Sequence, residues 1–583
     1  MLLVLSCTLL LGLGGCTTDY TNDDPQVLEP TDETVEPKTR SLENAVFNEG
    51  AQVWMVPQKD PYTLENFQQA YDNLLSGNTT QPLTRSEVAS IANAEPIKAT
   101  HYRLKIYPKT EAEEWKIERM EDVKVAYIPF DYVQLTKAES EKVAVSTRAQ
   151  TATYPDNNPY SVTYDDMETN DGSAASETFI LPVLYVVWPC DKPLPEDMDY
   201  EIECEVFIPP YNSGQTRSTA STLSETVLQR LENEAISLAL DIPVRPITRA
   251  SRTASRTLRG KVSNWDNYIK KRIPLVNLKQ RFQLGSNIWE VYSQIDGTFS
   301  ITAPIPDEAI YSHVFQHSRW KITSETSTNP TVSIWGEVGD EYNWPTSDSF
   351  MEIAPGYGGY YDIQACIGYY YAGLHGIQTW YHEGGLRLIE SNKIDNSANA
   401  SFHYNYRNDL YIIVYKNNLS NQSLYKGSVF HEIGHFIQYG ERGGYNGYTK
   451  VHKFIRESFG SYIGWYIGEQ FYTAAGYSKR LGSEDITGQA RQHWTKNSNS
   501  STKYYSPLFV DMVDNYNQFL DDERCNNDPI QDVPYSIIIR RISSECTTWS
   551  SVKNVLQEYV GAAYPQSELD KFLAPYDYWF AHN

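Results

Sequence analysis

Positive charge is scarce in this chain. Lys and Arg total 49 against 74 Asp and Glu, a net charge of −25 over 583 residues. Gripping a nucleic-acid backbone needs clustered cations, so that partner class is excluded, and the acidity reads as serving solubility. Histidine is sparse too, at 11 copies, so two that recur at a ligand spacing stand out. Cysteine numbers 7, and Cys190, Cys204, Cys366, Cys525 and Cys546 show none of the paired CxxC spacing of a zinc knuckle. An oxidising compartment would suggest pairing Cys190 with Cys204 and Cys525 with Cys546, with Cys366 a buried thiol, although spacing does not fix connectivity. After the first sixteen residues no run is long and apolar enough for a transmembrane helix. Tyrosine, by contrast, is abundant: 44 copies against 19 Phe. Its flat apolar body and polar tip suit surfaces that hold sugars or peptides, and suit a β-rich extracellular fold equally well. Hydrophobic residues at 40% and charged residues at 21% describe a folded protein too long for one core, so about three domains are expected.

The opening "MLLVLSCTLLLGLGGC" is an apolar run of signal-peptide length ending in small residues before Cys16. It resembles the lipobox of bacterial lipoproteins, although it lacks a basic start. The resemblance implies cleavage before Cys16 and lipidation of that residue, hence anchorage to the bacterial outer membrane, at the cell surface. Residues 17–45 are acidic, Thr- and Pro-rich and aperiodic, and are expected as a solvated tether. Their acidity just after the lipid cysteine is similar to the surface-export signals of some such lipoproteins.

Over 46–244 the pattern alternates, as in "HYRLKIYPK" (101–109), "FILPVLYVVWP" (179–189) and "DYEIECEVFIP" (199–209), which predicts an antiparallel β domain with a helix at 222–240. Residues 245–257, within basic "RPITRASRTASRTLRG", are expected as a linker. A second β unit spans 258–323. Its Gly260-Lys261-Val262, Ile273-Pro274-Leu275-Val276 and Asp296-Gly297-Thr298-Phe299 resemble the carboxypeptidase regulatory-like β-sandwich, whose Asp-Gly turn returns a Phe to the core. Residues 330–583 change to α+β, with a Tyr-rich helix at 360–380, a strand at 407–417 and further helices near 506–520, 549–560 and 567–580.

Within "SVFHEIGHFIQYGERGGYNGYTKVHKFIRESFGSYIGWY", His431 and His435 lie four apart and share one face of a helix, with Glu432 at the rim. Two neutral imidazoles suit zinc, and a carboxylate beside them can deprotonate water. Ser428 is in capping range, and Gly434 would let another element approach. The solvated-helix alternative is weakened by the apolar flank "SVFHEIGHFI". "YHEGGL" (381–386) has Leu386 where a second His would stand, so it has no metal role.

A catalytic zinc needs a third ligand. The metzincin pattern fails, because Gln438 and Glu441 occupy its Gly and His positions. Glu457 lies 22 residues after His435, beyond a glycine-rich turn, on a second helix with apolar Phe454, Ile455 and Tyr462. A charge buried there needs a cation. The alternatives are a solvated Glu457, a Glu457 paired with Arg456, or His452 or Glu469 as ligand. With these residues in place the segment resembles the gluzincin clan of zinc metallopeptidases. "HEIGHFIQ" is also similar to the HExGHxxQ form of mucin-degrading bacterial surface peptidases. The resemblance implies His431, His435 and Glu457 as Zn2+ ligands and Glu432 as general base and acid. Thermolysin-like members have an Asp where Ser461 stands, so another group must orient the zinc histidine. Tyr504, Tyr505 and His493 are candidates for an oxyanion donor.

The expected architecture is multidomain: N-terminal all-β domains, then an α+β zincin-like metallopeptidase domain. The expected function is zinc-dependent hydrolysis of extracellular proteins or glycoproteins. The competing reading is a non-catalytic lipoprotein that binds glycan or peptide and carries a structural or relict zinc site.

Overall fold

The computed structural model describes residues 42–582 apart from 43, 49–52, 80–82, 93–95, 146–157, 170–173, 211–222, 245–255, 326, 339–349, 354–358, 394–399, 417–421, 478–505 and 515–529. The signal segment with Cys16, nearly all of the acidic tether, most of the 245–257 linker, Cys525, His493, Tyr504 and Tyr505 lie outside the described residues.

The alternating runs of the N-terminal region do form antiparallel strands. His101–Tyr107 lies between Leu184–Pro189 and Asp199–Val206, with Lys124–Ala126 at the edge. Val46–Asn48, Val53–Pro57 and Tyr132–Gln134 form a separate three-stranded sheet. The region is nevertheless not all β. Helices Leu64–Ser76, Arg85–Ala92, Glu111–Glu118 and Lys137–Val145 interrupt it, besides the expected one at Glu225–Leu240. Leu64–Ser76 buries Phe67, Ala70 and Leu74 at helical spacing between an N-cap Thr63 and a left-handed Gly77, a period that strand alternation elsewhere obscured.

The suggested bridge between Cys190 and Cys204 is absent; both are free thiols. Cys190 hydrogen-bonds Thr100 on one side of the 101–107 strand, while Cys204 is opposite Arg103 on the other. Two strand spacings of about 4.8 Å therefore part them, beyond the roughly 7 Å that a disulfide spans. Cys366 is a buried thiol, raised well above its usual pKa by burial.

Further along, Arg256–Asp266 pairs with Lys271–Pro274, Thr298–Ala303 and, in parallel, Phe350–Ile353. Ile310–Val314 lies between Lys279–Leu284 and Val332–Glu337, and Asn287–Tyr292 completes that sheet. At the Asp-Gly turn, Gly297 takes φ +80°, Asp296 Oδ1 accepts from Thr298 N at 2.9 Å, and Phe299 returns to the core.

The sheet that positions the site draws on distant parts of the chain. Its strands are β1 (Ser161–Thr169), β2 (Ala174–Ile180), β3 (Trp320–Thr323), β4 (Leu386–Ser391), β5 (Ala400–Tyr404) and β6 (Leu410–Tyr415), in the order β3-β4-β6-β5-β1-β2. β3, β4 and β6 run parallel; β5 is antiparallel to β6 and pairs with β1 through His403↔Thr169 and Tyr404↔Glu168. Because strand side chains alternate, Leu388, Phe402, Ile412 and Val414 face the main core, and Ile389, Tyr411 and Ile413 pack on Tyr164, Met167 and Phe179. Against the main-core face lie helices α1 (Gly359–Tyr371) and α2 (Gln422–Glu441), and α3 (Lys453–Ala474) packs on α2. Their described residues are buried nearly all round, polar ones such as Asp362, Lys426 and Glu457 included. Helices Trp549–Tyr559 and Gln566–His582 follow, and Trp579 and Phe580 of the latter pack on Phe454. In place of a helix over 506–520, the described part is a short turn of helix at Leu508–Asp511. No helix of the described residues is long and apolar enough to cross a membrane.

One buried charge cluster ties α2 to this frame. Lys426 Nζ lies 2.8 Å from Asp266 Oδ2 and 2.7 Å from Asp362 Oδ1, and Asn264 Nδ2 donates to Asp362 Oδ1 at 2.8 Å. Burial alone would lower the Lys426 pKa, but the two carboxylates outweigh it and raise it. Replacing Lys426 with Met is expected to cost about 3–5 kcal/mol, because two buried carboxylates lose their cation. Chemical denaturation measures this, and a loss under about 1 kcal/mol would show the cluster to be dispensable.

Candidate metal centre

Helix α2 starts at Gln422, so Ser428 lies inside it rather than at its cap. His431 and His435 follow one turn apart. The chain then turns through Gly443 and Gly444, both at positive φ, passes the short helix Tyr445–Tyr448, and enters α3 behind His452. α2 and α3 cross with glycine against glycine. A Cβ on Gly434 would stand 3.0 Å from Gly460 Cα, and also 3.0 Å from Ile463 Cβ. The approach expected at Gly434 is therefore that of α3.

This crossing brings together the three residues that the motif singled out. His431 Nε2 and His435 Nε2 are 3.1 Å apart, and Glu457 Oε2 lies 3.4 Å from the first and 3.5 Å from the second. A tetrahedral zinc with bonds of roughly 2.0–2.1 Å holds its ligand atoms roughly 3.3 Å apart, so the triangle has the right edge length. His435 and Glu457 have fully buried side chains, and that of His431 is 10% exposed, so the triangle meets solvent on the His431 side. The donor set of two imidazoles and one carboxylate suits zinc, whereas calcium and magnesium prefer oxygen. Gly460 completes the cradle. A Cβ there would be 2.9 Å from His431 Nε2 and 3.0 Å from His435 Nε2, inside the space the ligand atoms face.

The electrostatics agree with a cation-binding role. Burial would raise the Glu457 carboxyl, but the two imidazoles hold it well below the usual carboxylate range. His435 is pushed down to about 4 by burial, which keeps it neutral with a lone pair to offer. His431 is lowered by burial, but its hydrogen bond to Glu457 and the charge of Glu432 raise it overall. Glu432 stands beside this triangle, 3% exposed, and its Oε2 has no hydrogen-bond partner among the described residues. Burial raises it to about 7, against the pull of His431, and the Phe402 backbone N–H donates to its carboxylate. A buried carboxyl that titrates near neutrality and has an orphaned oxygen is equipped to take and return a proton.

The rival ligands are elsewhere. His452 caps α3, accepting from Phe454 N through Nδ1 and packing on Phe580. Glu469 is twelve residues beyond Glu457 on the same helix, about 18 Å along its axis. Arg456 does not claim Glu457 as a hydrogen-bond partner; its Nη1 donates to Tyr404 Oη at 2.8 Å. Ser461 Oγ, at the position of the thermolysin-like Asp, has no hydrogen-bond partner among the described residues. Tyr448 is the residue beside the ring, its hydroxyl 3.0 Å from His435 Nδ1. With His435 Nε2 turned to a metal, Nδ1–H donates to this hydroxyl and the ring is held in one tautomer. No sequence spacing points to Tyr448, since it ends a four-residue helix too short to show a period. Gly460, three residues after Glu457 and hence on the same helix face, was open to recognition by that spacing.

Comparisons with models of known protein families, with curated proteins and with solved structures found no match to this chain.

Proposed function

We propose that this protein is a zinc-dependent peptidase acting on extracellular proteins or glycoproteins. The observation that carries the reading is the triangle of His431 Nε2, His435 Nε2 and Glu457 Oε2, with edges of 3.1–3.5 Å, beside the Glu432 carboxyl, whose Oε2 has no hydrogen-bond partner among the described residues. Three protein ligands leave a tetrahedral ion one open position, the mark of a catalytic rather than a structural zinc. Two crossing helices next to the antiparallel strand β5 are also what a zincin-like arrangement with a gluzincin ligand set requires. When bound, zinc supplies a Lewis acid that polarises a carbonyl and eases deprotonation of water. Glu432 accepts the proton of the attacking water and later returns it to the leaving amine. His431, His435 and Glu457 hold the ion, while Tyr448 keeps the His435 ring in register. Surface display through a lipid on Cys16 belongs to the same proposal and would put the site where such substrates are met.

Metal analysis of wild type beside Glu457→Ala tests the centre. Wild type is expected to keep about one zinc per chain after dialysis, and the variant to keep under about a tenth of that, since a three-ligand site loses its sole anion. Equal zinc in both proteins would remove Glu457 from the ligand set and the peptidase reading with it.

A further inference from the structure

A line of contacts leads from the centre to a part of the chain that the metal motif does not include. It starts at His435 Nδ1, which meets Tyr448 Oη at 3.0 Å. The Arg456 guanidinium lies over the Tyr448 ring, 5.1 Å from its centroid. Arg456 Nη1 donates to Tyr404 Oη at 2.8 Å, and the Glu168 carboxylate is close enough to the Tyr404 hydroxyl to add to the rise in its pKa. Glu168 stands directly opposite Tyr404 in the β5–β1 ladder, and its Oε1 also accepts from Tyr445 Oη at 2.5 Å. Tyr404, Tyr448 and Arg456 are all buried.

We propose that Glu168, on the β1–β2 hairpin, is a positioning residue for the metal centre, acting through Tyr404, Arg456 and Tyr448 on His435. The inference rests on the metal reading above. An imidazole ligand needs its far nitrogen fixed, and here a phenol fixes it. That phenol is in turn held by the cation stacked on its ring. A buried guanidinium needs an anion, and Glu457, next to it in the chain, also acts on Arg456. Glu168 supplies the opposing pull through Tyr404. With that charge gone, Arg456 shifts its balance toward Glu457 and competes with the metal for the carboxylate. The hairpin is on this view a working part of the centre, although it belongs to the N-terminal β region.

The test uses the full chain in three variants, Glu168→Gln, Tyr404→Phe and the double variant. Zinc affinity is measured by chelator competition, the visible absorption of the cobalt-substituted protein reports ligand geometry, and thermal unfolding of the metal-free protein serves as control. Each single variant is expected to weaken zinc about tenfold and to alter the cobalt spectrum, with metal-free unfolding within a few degrees of wild type. The double variant is expected to be no weaker than the weaker single, because both act in one relay. Unchanged affinity, additive losses, or a loss matched by destabilisation of the metal-free protein would each overturn the proposal. Wild type that binds no zinc would instead defeat the metal reading itself. Should Glu168→Gln fail to fold, Tyr404→Phe decides, because it leaves the Glu168 carboxylate and its Tyr445 bond in place.

Discussion

Changing Glu432 to Gln is expected to lower peptide hydrolysis by about 10³-fold while about one zinc per chain is retained. The two substituents have nearly the same shape, and the amide oxygen can still accept from the Phe402 N–H that now meets the carboxylate. Gln can neither take up nor release a proton near neutrality, which is the single property removed. The ligand atoms of His431, His435 and Glu457 are untouched, so the metal should stay. Steady-state kinetics on a denatured protein substrate, with zinc measured on the same sample, separates the two outcomes. Retained turnover at full zinc would mean that another group handles the proton. Loss of zinc along with activity would mean that Glu432 helps to build the centre rather than serving as its base.

The second large effect is expected at Gly460. An alanine there puts a methyl group 2.9 Å from His431 Nε2 and 3.0 Å from His435 Nε2, closer than carbon and nitrogen pack. Both imidazoles must swing aside, and the metal loses two ligands at once. Zinc affinity is expected to fall more than about 100-fold, since misplacing even the groups that orient a ligand costs about 10–100-fold. Alanine favours a helix interior over glycine by roughly 1 kcal/mol, so the metal-free fold need not suffer. Gly434→Ala is the informative contrast. Its methyl would meet Gly460 Cα and Ile463 Cβ at 3.0 Å each, so it should part the helices and destabilise the fold. Chelator competition and thermal unfolding on both variants would reveal the split. If Gly460→Ala binds zinc as wild type does, the cradle geometry is wrong.

Much of the candidate site was legible from spacing. His431 and His435 are four apart on a helix, a relation that any helix imposes, and Gly434 between them announces a close neighbour. Glu457 was legible from its company, because a carboxylate among Phe454, Ile455 and Tyr462 is costly without a cation. Arg456, the alternative partner, is adjacent to Glu457 in the chain, yet it turns to Tyr404 on β5. Tyr448 could not be read, because a helix of one turn is too short for a period to show where its side chains end up. The helix at Leu64–Ser76 was hidden for another reason, since the strand alternation around it took precedence over its own caps and 3.6 period.

Periodicity acts over one or two turns, so residue order alone settled what α2 and α3 present on each face. It also led to the expectation that His431, His435 and Glu457 share one metal ion. How far apart those groups come to rest was left to the helix crossing at Gly434 and Gly460, where the absence of two side chains sets the approach. The pairing of β1 with β5 was equally invisible, because hydrogen bonds along a strand edge carry no code for which distant strand will fill them. Only the folded chain puts Glu168 within reach of Tyr404.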